Sequence, residues 1–140
     1  MATTDRVLED FRPPTKIRLA LLWASLMFLY IYNDYFVLFL PGTLAHMSAG
    51  RLGPLGQETE AKLLGVSLLL AIPALMIFLS AALPAVVSRW LNLVLGLVYT
   101  AVEAMTSGGP HLFYKVVVGL EMALSLLIVW YALRWPRTPA

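Results

Sequence analysis

The stretch LLGVSLLLAIPALMIFLSAAL, residues 63–83, runs for 21 residues without a single charged side chain. A helix needs about 20 consecutive, mostly apolar residues to cross the hydrocarbon core of a bilayer. Three further stretches of similar character lie at 17–40, 90–106 and 113–135. The sequence therefore predicts an all-α polytopic membrane protein, an antiparallel bundle of four transmembrane helices.

The composition of the whole chain agrees with this prediction. Of its 140 residues, 60% are hydrophobic and only 13% are charged, and the mean hydropathy is +0.80. This is too apolar for a soluble domain of that length, so we treat 1–140 as a single membrane domain whose main partner is the lipid bilayer. The chain has no cysteine, which excludes disulfides and thiolate metal sites. The net charge of +2 comes from basic residues near the ends of the predicted helices. Because they do not form a basic face, we expect no nucleic-acid partner.

Short links and basic residues set the expected topology. Residues 84–89 and 107–110 are short, so the helices on either side of each should be antiparallel neighbours. Seven Lys and Arg residues fall on the side of the two termini and three fall on the other side. The positive-inside rule then predicts cytoplasmic N and C termini, a cytoplasmic segment 1–16 and an outer loop 41–62. Four tryptophans lie toward the cytoplasmic side, as in an aromatic belt: Trp23, Trp90, Trp130 and Trp135.

The residues that do not belong in an apolar span are the acids. The segment YIYNDYF, residues 30–36, places Asn33 and Asp34 in the first span, and Glu103 and Glu121 lie in the third and fourth. Given the predicted topology, all three acids fall in the outer half of the membrane. A carboxylate near the centre of a spanning helix costs roughly 2.5–3.5 kcal/mol on insertion scales. Three buried carboxylates therefore require hydrogen-bonding or charged partners, or a role in function.

Helical spacing puts the acids on polar stripes. Positions 4, 7 and 11 residues apart lie within about 40° of each other on a helix. Polar stripes of membrane helices face the bundle interior, because lipid offers no hydrogen bonds. The stripes are Trp23, Met27, Tyr30 and Asp34 in the first span, Asn92, Gly96, Tyr99 and Glu103 in the third, and Tyr114, Val118, Glu121 and Ser125 in the fourth. We therefore predict an acidic pocket in the outer half of the bundle.

The predicted pocket has an excess of negative charge. Its acids are Asp34, Glu103 and Glu121, while Lys115 and His111, near the outer rim, are the candidate countercharges. Either a carboxyl is protonated or a cationic ligand is bound. Glu103 and Glu121 are the candidates for a shared proton, because facing carboxylates cannot both ionise cheaply, and Asp34 is the candidate permanent anion. The expected hydrogen-bonding residues around the acids are Asn33, Tyr30, Tyr99, Tyr114 and Ser125.

Several familiar chemistries do not fit the sequence. His46 and His111 are the two histidines and do not form a metal-binding pair, so we expect no metal site and no cofactor. No Ser-His-Asp arrangement and no phosphate-binding loop is indicated. No catalytic residue can therefore be assigned, and whether the protein is an enzyme stays open.

Backbone-specific residues lie within the spans. Pro73, midway along the second span, has no N–H and frees the carbonyl of Leu69, which predicts a kink. Gly65, Gly96 and Gly119 permit close approach of neighbouring helices. We interpret both features as architectural.

Several segments resemble one known family. They are LLWASLMFLYIYNDYF (21–36), GPLG (53–56), AIPALMIFLS (71–80), RWLNLVLGLVYT (89–100) and LLIVWYALRWP (126–136). The resemblance is to a bacterial family of small four-helix membrane proteins of unknown function, and it covers nearly the whole chain. It implies four spans, and we expect a multi-pass protein of the cell inner (plasma) membrane. More distantly, the design is similar to DoxX-like and EXPERA-type four-helix membrane proteins, a likeness at the level of fold alone.

Three functions are consistent with this pattern. The leading one is binding or transport of a cation, a proton, or a cationic or lipophilic small molecule. Four helices are few for a complete transporter, so a homodimer is expected if transport is the activity. The second is an intramembrane enzyme that acts on a lipid or isoprenoid by carboxyl acid/base chemistry. The third is a non-catalytic partner subunit whose polar stripes serve assembly.

Overall fold

A computed structural model describes residues 10–137 of the chain. The long helices in this part are α1 (Thr15–Val37), α3 (Glu60–Ala82), α4 (Ala85–Thr106) and α5 (Leu112–Leu133), with a short α2 (Thr43–Ser48) between the first two. Each long helix has 22 or 23 residues, hence a length of about 33–35 Å, which spans a hydrocarbon core of about 30 Å. The described part contains no strand, so the predicted all-α fold with four membrane-spanning helices is confirmed. The first nine residues of the predicted segment 1–16 lie outside it.

All four long helices begin earlier than hydropathy alone predicts. The differences are largest for α3 and α4, whose start signals are polar or proline residues. α3 starts three residues before position 63, since the Thr59 hydroxyl accepts a hydrogen bond from the Lys62 backbone N–H at 3.3 Å and caps the helix. α4 starts at Ala85, directly after Pro84, which suits the beginning of a helix. The segment 84–89, predicted as a link, is therefore mostly the first turn of α4.

The four long helices form a ring. α1 packs against α3 and α5, and α4 packs against α5, whereas α3 and α4 contact each other much less. The described ends of the chain and the α3–α4 turn lie at one end of the bundle, which we call the terminal end. The loop of residues 38–59 and the α4–α5 turn lie at the other, the loop end. Which end faces the cytoplasm stays a prediction.

Polar side chains lie inside the bundle and large apolar ones cover its outside. Exposed side chains on the long helices include Phe28, Leu68, Phe78 and Leu97, as expected of a surface in contact with lipid. The buried polar residues are Asn33, Ser80, Ser88, Asn92, Glu103, Glu121 and Ser125. This distribution matches a membrane protein rather than a soluble one.

The tryptophans do not all belong to one belt. Trp90 and Trp130 are exposed and Trp135 is half-buried, but Trp23 is fully buried in the apolar core. Its indole N–H donates to Asn92 Oδ1 at 2.7 Å, and that bond places the ring in the interior. Including Trp23 in the aromatic belt was wrong.

Gly96 sets the distance between α4 and α5. A Cβ at this position would lie 2.8 Å from Val129 Cγ2 and 3.3 Å from the Ser125 carbonyl oxygen, so only glycine fits without movement. Gly65 and Gly119 have open space where a Cβ would be. Of the three glycines predicted to permit close helix approach, only Gly96 does so in the described bundle.

Pro73 and Tyr99 join α3 to α4. Because Pro73 has no N–H, the Leu69 carbonyl has no donor within its own helix. The Tyr99 hydroxyl donates to that carbonyl. The bond connects two helices that otherwise contact little, and it holds Leu69 near the polar interior.

Substituting Gly96→Ala should destabilise the bundle, because Val129 and the α5 backbone have to move. The expected loss is about 1–3 kcal/mol, as for other overpacked interiors, measured by thermal unfolding of the purified protein in detergent. Gly119→Ala is the matched control and should cause no loss. Equal losses for the two variants would contradict the role of Gly96.

The bond between Tyr99 and the Leu69 carbonyl predicts coupling between Tyr99 and Pro73. Tyr99→Phe should lower the free energy of unfolding by about 0.5–1 kcal/mol, because the carbonyl loses its donor. In a Pro73→Ala background the loss should be smaller, since position 73 then supplies a backbone N–H. A double-mutant cycle measures the difference. Additive effects would show that the hydroxyl does not compensate for the proline.

Candidate functional site

A cavity of about 130 Å³ lies inside the bundle, in the half nearer the loop end. All four long helices contribute to its wall. The lining residues are Tyr30, Asn33, Asp34, Leu69, Leu70, Tyr99, Val102, Glu103, Thr106, Tyr114 and Glu121. An apolar cavity of about 150 Å³ holds one benzene molecule. The space therefore suits a small ligand or the head of a larger one.

Glu103 is the acid of the cavity that accepts the most side-chain hydrogen bonds. The residue is only 2% exposed. Its carboxyl oxygen Oε1 accepts hydrogen bonds from the Tyr30 hydroxyl at 2.5 Å and from the Ser125 hydroxyl at 2.8 Å. The second carboxyl oxygen, Oε2, is buried and has no hydrogen-bond partner among residues 10–137. One oxygen is thus held by protein donors, while the other is free to take a proton or a ligand.

Asn33 and Glu121 form a second buried pair. Asn33 Nδ2 donates to Glu121 Oε1 at 3.3 Å, and the two residues are 6% and 3% exposed. Asn33 Oδ1 has no partner in the described part of the chain. Both unpartnered buried atoms, this one and Glu103 Oε2, are oxygens that accept hydrogen bonds. A complementary ligand therefore presents N–H or O–H donors.

No basic side chain balances these acids within residues 10–137. The ion pair in that range joins Arg12 to Asp10, both exposed near the terminal end. Lys115 and His111 are exposed and do not line the cavity, contrary to their predicted role as countercharges. Both lie at the start of α5, where a charged side chain gains more from water and headgroups than from an apolar interior.

Asp34 is less buried than expected. It lines the cavity, but its side chain is exposed, while the neighbouring Asn33 is buried. The buried positions of α1 are Leu19, Trp23, Leu26 and Asn33, a spacing typical of helices that cross at small angles. The 11-residue step from Trp23 to Asp34 assumes a straight, isolated helix and overshoots this seam by one position.

The structure brings most of the predicted side chains to one cavity. Tyr30, Tyr99 and Tyr114 line it, although Tyr114 makes no side-chain hydrogen bond to the described residues. Ser125 contacts Glu103 without lining the cavity. The apolar wall residues and Thr106 were not predicted, because polarity and spacing do not single them out.

A second polar cluster, also not predicted, lies between the cavity and the terminal end. Asn92 Oδ1 accepts from Trp23 Nε1 at 2.7 Å and from the Ser80 hydroxyl at 3.1 Å, and its Nδ2 donates to the Ser88 carbonyl at 2.8 Å. The Ser88 hydroxyl donates to the Ser80 carbonyl at 2.9 Å. These four residues are fully buried. The signal was present in the sequence as Ser88 and Asn92 one turn apart, but uncharged residues stand out less than acids.

Within the described residues no group of three His, Asp, Glu or Cys side chains is arranged to hold a metal ion. Hard divalent cations need several oxygen ligands at once, about six for Mg²⁺ and six to eight for Ca²⁺. Two free acceptor oxygens suit an N–H or O–H donor better.

Comparison with known proteins gives a family but no activity. The chain matches a family of unknown function, DUF6326, over residues 8–139. No curated protein and no solved structure matches it. The family match includes every segment from the first span to the last and all the cavity residues. The chain, a multi-pass membrane protein, therefore belongs to DUF6326, a family of unknown function.

Proposed function

We propose that this protein binds a small cationic hydrogen-bond donor, ammonium or a small organic ammonium ion, in the cavity, in exchange for a proton. The observation that carries the proposal is Glu103 Oε2, a buried carboxyl oxygen with no partner in the described chain. An uncompensated carboxylate in an apolar interior costs several kcal/mol. A proton or a cationic donor on Oε2 removes that cost, and the two compete for the same atom.

The identity of the ligand follows from the second free acceptor. Asn33 Oδ1 is uncharged, buried and unpartnered in the described chain, so it requires a donor rather than a positive charge alone. An alkylammonium ion supplies up to three N–H donors on one charged atom, as a lysine does. A quaternary ammonium ion has the charge but no N–H. The cavity volume of about 130 Å³ also favours a small head group.

Binding fits the bundle better than a continuous path through it. The Asn92 cluster and the edge-to-face contact of Trp23 with Tyr99, at 5.8 Å between ring centroids, lie on the terminal-end side of the cavity. Opening a path there would leave several hydrogen-bonding groups unpaired in hydrocarbon. With both termini cytoplasmic, as the basic residues predict, the ligand reaches the cavity from the outer side. The enzyme and partner-subunit functions stay predictions.

Replacing Glu103→Gln should weaken binding of methylammonium by about tenfold to a hundredfold, the value of a hydrogen bond to a charged group. Isothermal titration calorimetry of the full-length chain in detergent measures the change. Glu58→Gln is the matched control, because Glu58 is an exposed acid near the loop end that does not line the cavity. This control should bind as the original protein does.

Tetramethylammonium should bind at least about tenfold more weakly than methylammonium, because it cannot donate to Glu103 Oε2 or Asn33 Oδ1. Equal affinity for the two ions would mean that charge alone is recognised. Equal losses in the Glu103 and Glu58 variants would place binding outside the cavity.

Exchange with a proton also predicts the pH dependence of binding. At pH values where Glu103 is protonated in the ligand-free protein, the affinity for methylammonium should rise with pH, by at most about tenfold per pH unit. At higher pH, where the Glu103 carboxyl of the ligand-free protein is already ionised, the affinity should become constant. Titrations in buffers of different ionisation enthalpy should report proton release. In the Glu103→Gln variant the pH dependence should be lost. Affinity that is flat with pH in the original protein would contradict the exchange.

A further inference from the structure

Two adjoining clefts lie at the terminal end of the bundle, away from the cavity. Their volumes are about 420 and 410 Å³, and they share Ala85, Trp135 and Pro136 as common walls. The first cleft borders the start of α1, and the second borders the first turns of α4. Neither takes part in the function proposed above.

Both clefts are positively charged. Lys16 and Arg18 line the first, and Arg89 and Arg137 line the second. Within residues 10–137 no acidic side chain lines either cleft. By contrast, the described acids in the half of the bundle nearer the loop end are Asp34, Glu58, Glu60, Glu103 and Glu121. The clefts therefore favour an anion.

Backbone contacts hold Arg18 and Arg89 in place and leave most of their donors free, whereas Lys16 Nζ donates to the Ala81 and Leu83 carbonyls. Arg18 Nε donates to the Pro13 carbonyl at 2.8 Å, and Arg89 Nε donates to the Ala132 carbonyl at 3.0 Å. A guanidinium has five N–H donors, and the terminal amino groups of these two arginines make no hydrogen bond to the described residues. Each arginine thus presents a fixed set of donors at a cleft, which is the arrangement that phosphate groups bind well.

We propose that these clefts bind the phosphate headgroup of an anionic phospholipid. The shared chemistry is a phosphate anion beside an arginine and a second basic residue, Arg18 with Lys16 in the first cleft and Arg89 with Arg137 in the second. The source is a lipid because Trp90 and Trp135 line the second cleft. Indole rings concentrate at the headgroup level of membranes, and basic pockets between spanning helices bind acidic headgroups. The lipid-facing surfaces of α4 and α5 begin at the same level, so the acyl chains continue along them.

Arg134 separates this proposal from the general excess of basic residues at helix ends. It also lies at the terminal end, but its side chain is exposed, its guanidinium lies 3.9 Å from the centroid of the Trp130 ring, and it lines neither cleft. Removing its charge changes the net charge of that surface as much as removing Arg18 or Arg89 does. It therefore serves as the matched control.

The test is a titration of the full-length chain in detergent with phosphatidylglycerol or phosphatidylcholine of the same acyl chains, with bound lipid counted by native mass spectrometry. Phosphatidylglycerol should bind at least about tenfold more tightly. The single changes Arg18→Gln and Arg89→Gln each remove one charge, as Arg134→Gln does, and each should reduce its affinity by about fivefold. The double change should reduce it by about tenfold or more, because glutamine keeps a donor for the carbonyl but has no charge. Arg134→Gln should reduce it by less than about twofold.

Three results would overturn the proposal. They are equal binding of the two lipids, an equal loss in the Arg134 variant, and displacement of phosphatidylglycerol by the same concentration of inorganic phosphate, which would indicate a free-anion site. Thermal unfolding without added lipid checks that the double variant is folded. If it is not, each single variant replaces it, and each should lose about fivefold in affinity.

Discussion

The lack of water in the hydrocarbon core is the constraint on which this structure depends. A polar group without a partner there costs several kcal/mol, so the bundle turns its polar side chains inward and its apolar ones toward lipid. Apolar burial alone would not hold the helices together, because lipid tails are as apolar as leucine. The contacts of Trp23 with Asn92, Tyr30 with Glu103 and Tyr99 with the Leu69 carbonyl all join different helices. Hydrogen bonds therefore fix how the helices are placed against one another.

The same constraint gives different meanings to the two polar clusters. Around Asn92 every buried side-chain donor and acceptor has a partner within the described chain. That cluster therefore needs no ligand to satisfy its hydrogen bonds. Around Glu103 and Asn33 two acceptor oxygens are left over. This incomplete cluster beside a complete one, in the same apolar medium, is the observation on which the proposed ligand site rests.

Hydropathy was sufficient to predict four helices, because an uncharged run such as 63–83 has few other uses. The α4 stripe of Asn92, Gly96, Tyr99 and Glu103 was also predicted as an inward face, and the structure buries all four residues. Asp34 lines the cavity, as predicted, but its side chain is exposed, because the buried seam of α1 runs through Asn33 rather than through Asp34. Trp23 was misread for another reason: tryptophan is typical of membrane interfaces, and its partner Asn92 is too distant in sequence for a local pattern to reveal.

The long sequence separation of these hydrogen bonds affects how the protein is made. α1 is the least apolar of the four long helices and is synthesised first. The partners of its residues Trp23, Tyr30 and Asn33 follow 69, 73 and 88 residues later. Until α4 and α5 emerge from the ribosome, α1 carries an indole, a phenol and an amide that lipid cannot satisfy. We therefore expect the nascent helix to stay beside the insertion machinery, in contact with water or protein, until its partner helices have been made.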